Sequence, residues 1–379
     1  MATRLAEELE RRLGRLTEAA CRSALLVACG SPAVLADLVQ RHGSGRAALE
    51  GFEEAGAEMG AGTLERVEEE EALASRLSVV RLTPEDPGWP ALLRESVRPP
   101  ALLYVLGTLP DFSGAPGLAL VGSRSAADYG LEVARRFGRV WAESGGVVVS
   151  GGALGIDSAA HAGCLEGRGR TVAVLGSGLK RVYPASNREL FDRIVSSGAL
   201  VSELPLTGSC LPFSFPERNR IIAGLSRIVV IVQARRGSGA LYTASFATKC
   251  GRMLFVVPGP VDDEGFAGGL ELMQGPASVL TGVEHLVSVY ASVTGRPAAR
   301  CPDLPLPPAN RRVSSSGLDS RERLVLEYLD SGALHADDLL AATGMGAGEL
   351  SLLLLEMEMK GWVERAAGNH YECRVRLER

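Results

Sequence analysis

Residues 147–161, VVVSGGALGIDSAAH, run four strand-forming residues into a glycine turn and then into a helical stretch. Such a turn leaves backbone N–H groups unpaired at the positive end of a helix, a natural seat for a phosphate. Written SGGALG, the stretch opens on Ser150, Gly151 and Gly152 and matches GxGxxG with serine in the first position. A tight strand–helix turn with no ligand satisfies the same pattern. A dinucleotide cofactor also asks for a carboxylate about 20 residues further on, to hold the ribose. The next apolar run, TVAVL, ends instead in Gly176-Ser177-Gly178, which argues against NAD. GxxxxGK(S/T) is absent as well, which argues against a P-loop nucleotidase.

Arginines gather at similar places. PERNRIIAGLSR (216–227) sets Arg218 and Arg220 on either side of Asn219. If Pro216 opens a helix, both cations lie in its first turn and oppose the helix dipole unless an anion is near. Surface salt bridges would satisfy the same pattern, but the phosphate reading gains because Arg124 and Arg235-Arg236 also stand at expected strand ends. RRGSGALYTA (235–244) repeats the strand–glycine–helix logic, with Ser238, Gly239 and Thr243 as donors or as ordinary capping residues. Arg124, in VGSR, follows another apolar run. Asp157 and His161 share a helical face four residues apart, but GxSxG is missing around Ser150, so hydrogen bonding within the turn is the plainer reading. His161 and Cys164 make a poor metal signature without further ligands.

The placement of charge supports an anionic ligand. Residues 111–290 carry 17 basic and 15 acidic side chains, while 1–110 carry 12 and 17 and 291–379 carry 11 and 13. The only positive region therefore holds the glycine turns, and nearly all its cations are arginine, which suits bidentate phosphate contacts. A net charge of −5 excludes a blanket polycation but not a nucleic-acid partner. The seven cysteines have no CxxC spacing, so neither a disulfide frame nor a zinc site is expected, and a reducing cytoplasm fits. No signal peptide or membrane span is read, and no cofactor is expected.

These residues need elements to hold them. From residue 117 short apolar runs alternate with helical stretches: GLALVG, helix near 128–144, VVVSG, helix near 155–167, TVAVLG, helix near 187–197, ALVSE, RIVVIV, helix near 239–251, MLFVV. Runs of apolar β-formers imply strands buried on both faces, hence a doubly wound, mostly parallel α/β sheet whose ligands bind beyond the carboxyl ends of the strands. Before it, residues 1–77 read as a small helical domain, with Leu25, Leu26, Leu35, Leu38 and Leu49 facing inward and Ser31-Pro32 opening a helix. EEEE at 68–71 reads as a solvated face. The sheet domain spans 78–294, a Pro/Ser/Arg-rich linker 295–318, and a winged-helix-like unit 319–379, opened by an Asp319–Glu322 capping box. Its second helix carries Glu349, Glu356 and Glu358 against Lys360, so a protein contact or packing fits it better than a DNA groove.

DPGWPALL, PPALLYVLG, LALVGSR, VVVSGGALGIDSAAH, TVAVLGSGLKRVYPASN, LVSELP, FPERNRIIAGLS and GSGALYTASFATKCGRMLFVVPG stand in order over about 84–260. This ordered set resembles the DNA-processing family DprA (Smf), of Rossmann-like fold. The N-terminal helices resemble, more loosely, its SAM-like or helix–hairpin–helix-like domain, and the C-terminal unit its winged helix. The resemblance implies a cytoplasmic, dimeric protein without established turnover. It would bind incoming single-stranded DNA in natural transformation or recombination and load the recombinase RecA. The binding positions implied are Arg124, Ser150, Gly151, Gly152, Arg218, Asn219, Arg220, Ser238 and Gly239, with Lys180 and Arg181 as lesser candidates. Departures are Ala185, where a lysine is frequent and Arg188 is the nearest substitute, Gln233 in place of a usual VEA, Trp89 in place of tyrosine, and a degraded pattern after Pro258-Gly259. The rival is a LOG-like nucleoside monophosphate phosphoribohydrolase, whose PGGxGTxxE glutamate has no counterpart in ARRGSGALYTA.

Overall fold

The computed structural model describes residues 5–54, 62–210, 214–296, 311–314, 318–330, 332, 334–360, 362–366, 368–373 and 375–378. Most of the expected 295–318 linker lies outside them. The chain divides into two compact units, Met1–Cys301 and Pro302–Arg379.

The first unit opens with five helices: α1 (Leu5–Leu13), α2 (Glu18–Cys29), α3 (Pro32–His42), α4 (Gly45–Glu54) and α5 (Thr63–Leu77). Ser31 caps α3 with its side chain, and Pro32 takes the first helical position. The acidic run on α5 departs from the solvated face expected of it. Glu70 is buried, and its Oε1 accepts the Leu206 N–H at 2.8 Å. Glu71 pairs with Arg81. A helix laid on a sheet turns one residue in three or four inward whatever its charge, and Glu70 falls on that side.

Nine strands follow: β1 (Val80–Leu82), β2 (Leu103–Gly107), β3 (Gly117–Gly122), β4 (Val147–Ser150), β5 (Arg170–Leu175), β6 (Ala199–Ser202), β7 (Ile228–Gln233), β8 (Met253–Val256) and β9 (Ser278–Val279). They form one sheet in the order β1-β2-β6-β5-β4-β3-β7-β8-β9, with the short helices α6 (Ala91–Arg94) and α12 (Ala267–Met273) among its connections. From β6 to β9 every pairing is parallel, and β1 and β2 add an antiparallel edge. Strands β4, β6 and β7 are buried along their whole length, which is why their sequences are unbroken apolar runs rather than alternating ones.

Successive residues point to opposite faces, and each face has its own cover. Val147, Val149, Val172 and Val174 meet α10 (Ser214–Leu225) and α11 (Ala240–Lys249) on one side. Leu118, Leu120 and Val148 meet α7 (Asp128–Glu143), α8 (Ile156–Glu166) and α13 (Val283–Thr294) on the other. Towards β2 the cover changes to α9 (Arg188–Ser197) and the N-terminal helices. Leu25, Leu26 and Leu49 share a cluster there with Tyr104, Leu175 and Phe191.

The second unit contains α14 (Ser320–Leu329), α15 (Ala336–Thr343) and α16 (Ala347–Met359) with a three-stranded antiparallel sheet. Asp319 and Glu322 form the capping box. Val325, Leu339, Leu354 and Met357 make its core, as a winged helix requires. Among the described residues no single helix is long and apolar enough to cross a membrane.

Candidate nucleic-acid interface

The carboxyl ends of β3, β4 and β5 converge on a small pocket lined by Arg124, Gly151, Leu154, Tyr183, Phe215 and Arg218, among others. Arg124 stands at the tip of the turn after β3, and that turn is held from two sides. The Ser123 N–H donates to Gln233 O at 2.8 Å, and the Ile156 N–H donates to Ser123 O at 3.2 Å. Gly122 lies so close to Gln233 O and Ile156 that a Cβ would fall within 2.7 Å of both. A larger residue would therefore push the tip outward. Arg124 itself is exposed, with its guanidinium 4.4 Å from the Phe215 ring centroid and no carboxylate at ion-pair distance among the described residues. Tyr183 stands 5.8 Å from the same ring.

The first glycine turn is not open as its sequence suggests. Asp157, in the first turn of α8, accepts the N–H groups of Gly151 at 3.1 Å and Ala153 at 3.3 Å. The seat foreseen for a phosphate is taken by the chain's own carboxylate. Arg218 completes the knot, donating to Gly151 O at 2.6 Å and to Val174 O. Burial pushes the Asp157 carboxyl up against the pull of Arg218, and burial lowers Arg218. Ser150 is fully buried and donates to Leu120 O at 2.6 Å, so its hydroxyl serves the sheet and not a ligand. Gly152 has φ +67°, and a Cβ there would strike Phe191. His161 does not bond within the turn. Its Nδ1 meets Thr171 Oγ1 at 2.7 Å, and Thr171 donates onward to Val148 O. Thr171 thus has only a lone pair to offer, so Nδ1 carries the proton. Burial holds the imidazole neutral, with its pKa down at about 3.

The RNR segment also departs from expectation. Helix α10 begins at Ser214, two residues before Pro216, so both arginines lie beyond its first turn. Proline is tolerated near a helix start because its missing N–H would find no partner there. Arg218, Asn219 and Arg220 are all buried. Arg220 Nη2 grips both carboxylate oxygens of Glu203 at 2.5 Å, so its charge is neutralised internally. Asn219 Nδ2 donates to Gly239 O at 3.0 Å and ties α10 to the second glycine turn. Of the pair, Arg218 alone lines the pocket. At the second turn Ser238 Oγ accepts the Ala240 N–H at 3.3 Å, the plain capping role, while Gly239 is exposed with open space around it. Arg236 is paired with Glu271. Lys180 and Arg181 are exposed but lie outside the mouth, and Arg181 reaches Ser209 Oγ at 3.4 Å.

Sequence reasoning missed two contributors. One is the consequence of Asp157's bonds within the turn, themselves expected: the carboxylate takes the phosphate's seat. The other is Gln233. Strand order reverses between β3 and β7, where doubly wound sheets usually take a ligand. There Gln233 is buried, and its Oε1 accepts the Ala127 N–H at 2.9 Å. A Cβ on Gly130 or Gly265 would meet its amide at 2.5 or 2.6 Å. Gln233 stands in the customary crevice, while the small pocket lies over β3–β5.

In the winged-helix unit α16 exposes Leu352 and Leu355 among Glu349, Glu356 and Glu358. Its lysine, Lys360, is tied to Glu322 at 2.6 Å. Among the described residues no group of three or more His, Cys, Asp or Glu could hold a metal ion.

A doubly wound sheet with glycine turns at its carboxyl edge, joined in one chain to a winged helix, defines a class of Rossmann-like binding proteins. The family model of DNA recombination-mediator protein A matches residues 80–291, and that of the DprA winged helix domain matches 307–369. The chain belongs to this DNA-processing family. It is 34% identical to a putative DNA processing protein DprA of Mycobacterium tuberculosis over 93% of this chain and 90% of that one. It is 33% identical to a Smf protein of Synechocystis over 77% and 80%. The X-ray structure of DNA processing protein A from Streptococcus pneumoniae matches with a TM-score of 0.55 and 30% identity, covering 76% of this chain and 98% of that one. A Helicobacter pylori structure described for its single-stranded DNA binding mode matches with a TM-score of 0.52 and 27% identity, over 58% and 98%.

Proposed function

We propose that the mouth over β3–β5 binds single-stranded DNA, with Arg124 on a phosphate and Phe215 and Tyr183 stacking on bases. The observation that carries this is the exposed Arg124 guanidinium, seated on an aromatic ring and free of any carboxylate among the described residues. Arg218 feels its like charge across the pocket, a repulsion that an anion between them relieves. Gly151 and Ser150 act here by building the platform. Arg220 and Asn219 act by anchoring α10, and Ser238 and Gly239 offer a second, more open contact. Base–aromatic stacking is sequence-tolerant and phosphate contacts carry no sequence information, so binding is largely indifferent to sequence.

We read the chain as a mediator without turnover, acting in the cytoplasm, dimeric through its α/β unit and delivering the strand to RecA. The family resemblance supports these points. The pocket itself encloses about 40 Å³, room for a water or two and far below a nucleotide site, which favours a polymer lying across it over a nucleotide held inside. The test is fluorescence anisotropy of a labelled single strand at two salt concentrations. Wild type binds more weakly at higher salt, and Arg124→Ala loses affinity equally for all sequences and flattens the salt slope by about 0.7. Wild-type affinity in the folded variant removes Arg124 from the site, and adenine release from AMP would replace this reading with the hydrolase.

A further inference from the structure

A second cavity, of about 840 Å³, lies within the first unit between the N-terminal helices and the loops that leave β5 and β6. Its walls are the α2–α3 corner at Gly30–Pro32, one face of α5, and residues 204–209 with Lys180. On α5 the cavity is faced by Arg66, by Glu69 and Glu70, by Ala72 and Leu73, and by Arg76, successive turns on one side of the helix.

The balance of charge in this groove favours an anion. Arg66, Arg76 and Lys180 are all exposed, and none has a carboxylate at ion-pair distance among the described residues. Arg66 donates to Thr63 Oγ1 at 2.9 Å, a contact that leaves its charge uncompensated. Of the two acids, Glu70 is turned inward onto the Leu206 N–H, and burial pushes its carboxyl up. Glu69 is then the one exposed acid facing three cations.

The groove begins close to the mouth. Tyr183 lines the mouth and Lys180 lines the groove, and with two residues between them their Cα atoms stand at most about 11 Å apart. Arg181 lies between them and touches Ser209, itself a wall of the groove. We infer that a strand leaving the mouth over Tyr183 enters this groove, and that Arg66, Arg76 and Lys180 bind its backbone phosphates there. The inference rests on the single-strand reading of the mouth and gives the N-terminal helices a part in holding the strand.

The test uses the full chain and two labelled single strands, of about 6 and about 20 nucleotides, bracketing the site sizes of small single-strand binders. The double variant Arg66→Ala, Arg76→Ala changes exposed side chains on a helix, and a melting curve checks its fold. It is expected to bind the long strand about 3- to 10-fold more weakly, flatten its salt slope by about 1.4, and bind the short strand as wild type does. Arg124→Ala weakens both lengths. Long-strand affinity unchanged in the folded double variant overturns the groove and leaves the mouth standing. Failure of wild type to bind either length overturns the mouth, and the strand path with it. AMP bound by wild type and lost in the double variant, with the long strand unaffected, assigns the same phosphate chemistry to a free nucleotide and overturns the strand path.

Discussion

The two glycine turns of the sheet share one sequence logic and reach opposite ends. In the first, Gly151 and Gly152 exist for close approach: added Cβ atoms would strike the Arg218 guanidinium and the Phe191 ring. The N–H groups there are spent on Asp157 and one of the carbonyls on Arg218. In the second, Gly237 has φ +69° and Gly239 an ordinary backbone, and neither has a neighbour within 4 Å of an added Cβ. One turn is a closed electrostatic knot and the other faces solvent. A strand–glycine–helix motif therefore identifies a place where an anion is welcome, and the rest of the chain decides whether it brings its own.

Breaking the knot should have the largest effect. Asp157→Ala leaves Arg218 buried without its compensating charge, and a loss of about 3–5 kcal/mol is expected in denaturant unfolding. A loss under about 1 kcal/mol would mean that water or a moved side chain replaces the carboxylate. Next comes the neighbouring pair. Arg220→Leu strands Glu203 and should cost about 3 kcal/mol, while Arg220→Leu with Glu203→Leu should recover most of it, because a buried ion pair is worth little over a packed apolar one. Equal losses in the single and double variants would deny that coupling.

Within the first pH unit of acidification below 6.5, His161 gives a smaller effect, at most about 1.4 kcal/mol. Its folded pKa of about 3 lies below the ordinary 6.5, so the unfolded chain takes up the proton first. Its contribution is intact above pH 6.5 and falls, as pH drops from 6.5 towards 3, by at most about 1.4 kcal/mol per pH unit. His161→Gln should remove that part of the acid sensitivity. A wild-type and variant difference that stays constant from pH 7 to about pH 4 would deny it. Smallest is Gly239→Ala in the open turn, expected to shift stability by only a few tenths of a kcal/mol while crowding a contacting strand. A change of Tm beyond about 5 °C would show that the turn is packed after all.

The sheet was legible because its evidence is local. Strands such as VVVS and IVVIVQ are buried on both faces and are apolar up to their last residue, and Gly151 ends the first cleanly. The site was legible only where a residue keeps to itself, as Arg124 does. Arg220 looks the same as Arg124 in a sequence window, but Glu203 reaches it from the end of β6. Glu70 sits in an acidic run that gives no hint of the Leu206 amide waiting 136 residues on. Pairings set by the topology carry no periodicity to read.

Gln233 has a consequence for selection among solutes. A doubly wound sheet with an empty reversal point is a receptor for monomers, and every free nucleotide in the surroundings competes for it. Here a buried amide stands at that point and bonds the start of α7. If the mouth over β3–β5 is the strand site proposed above, its contacts are too shallow to retain a single nucleotide and gain strength by summing along a chain. On that proposed reading, discrimination of polymer from monomer follows from length alone.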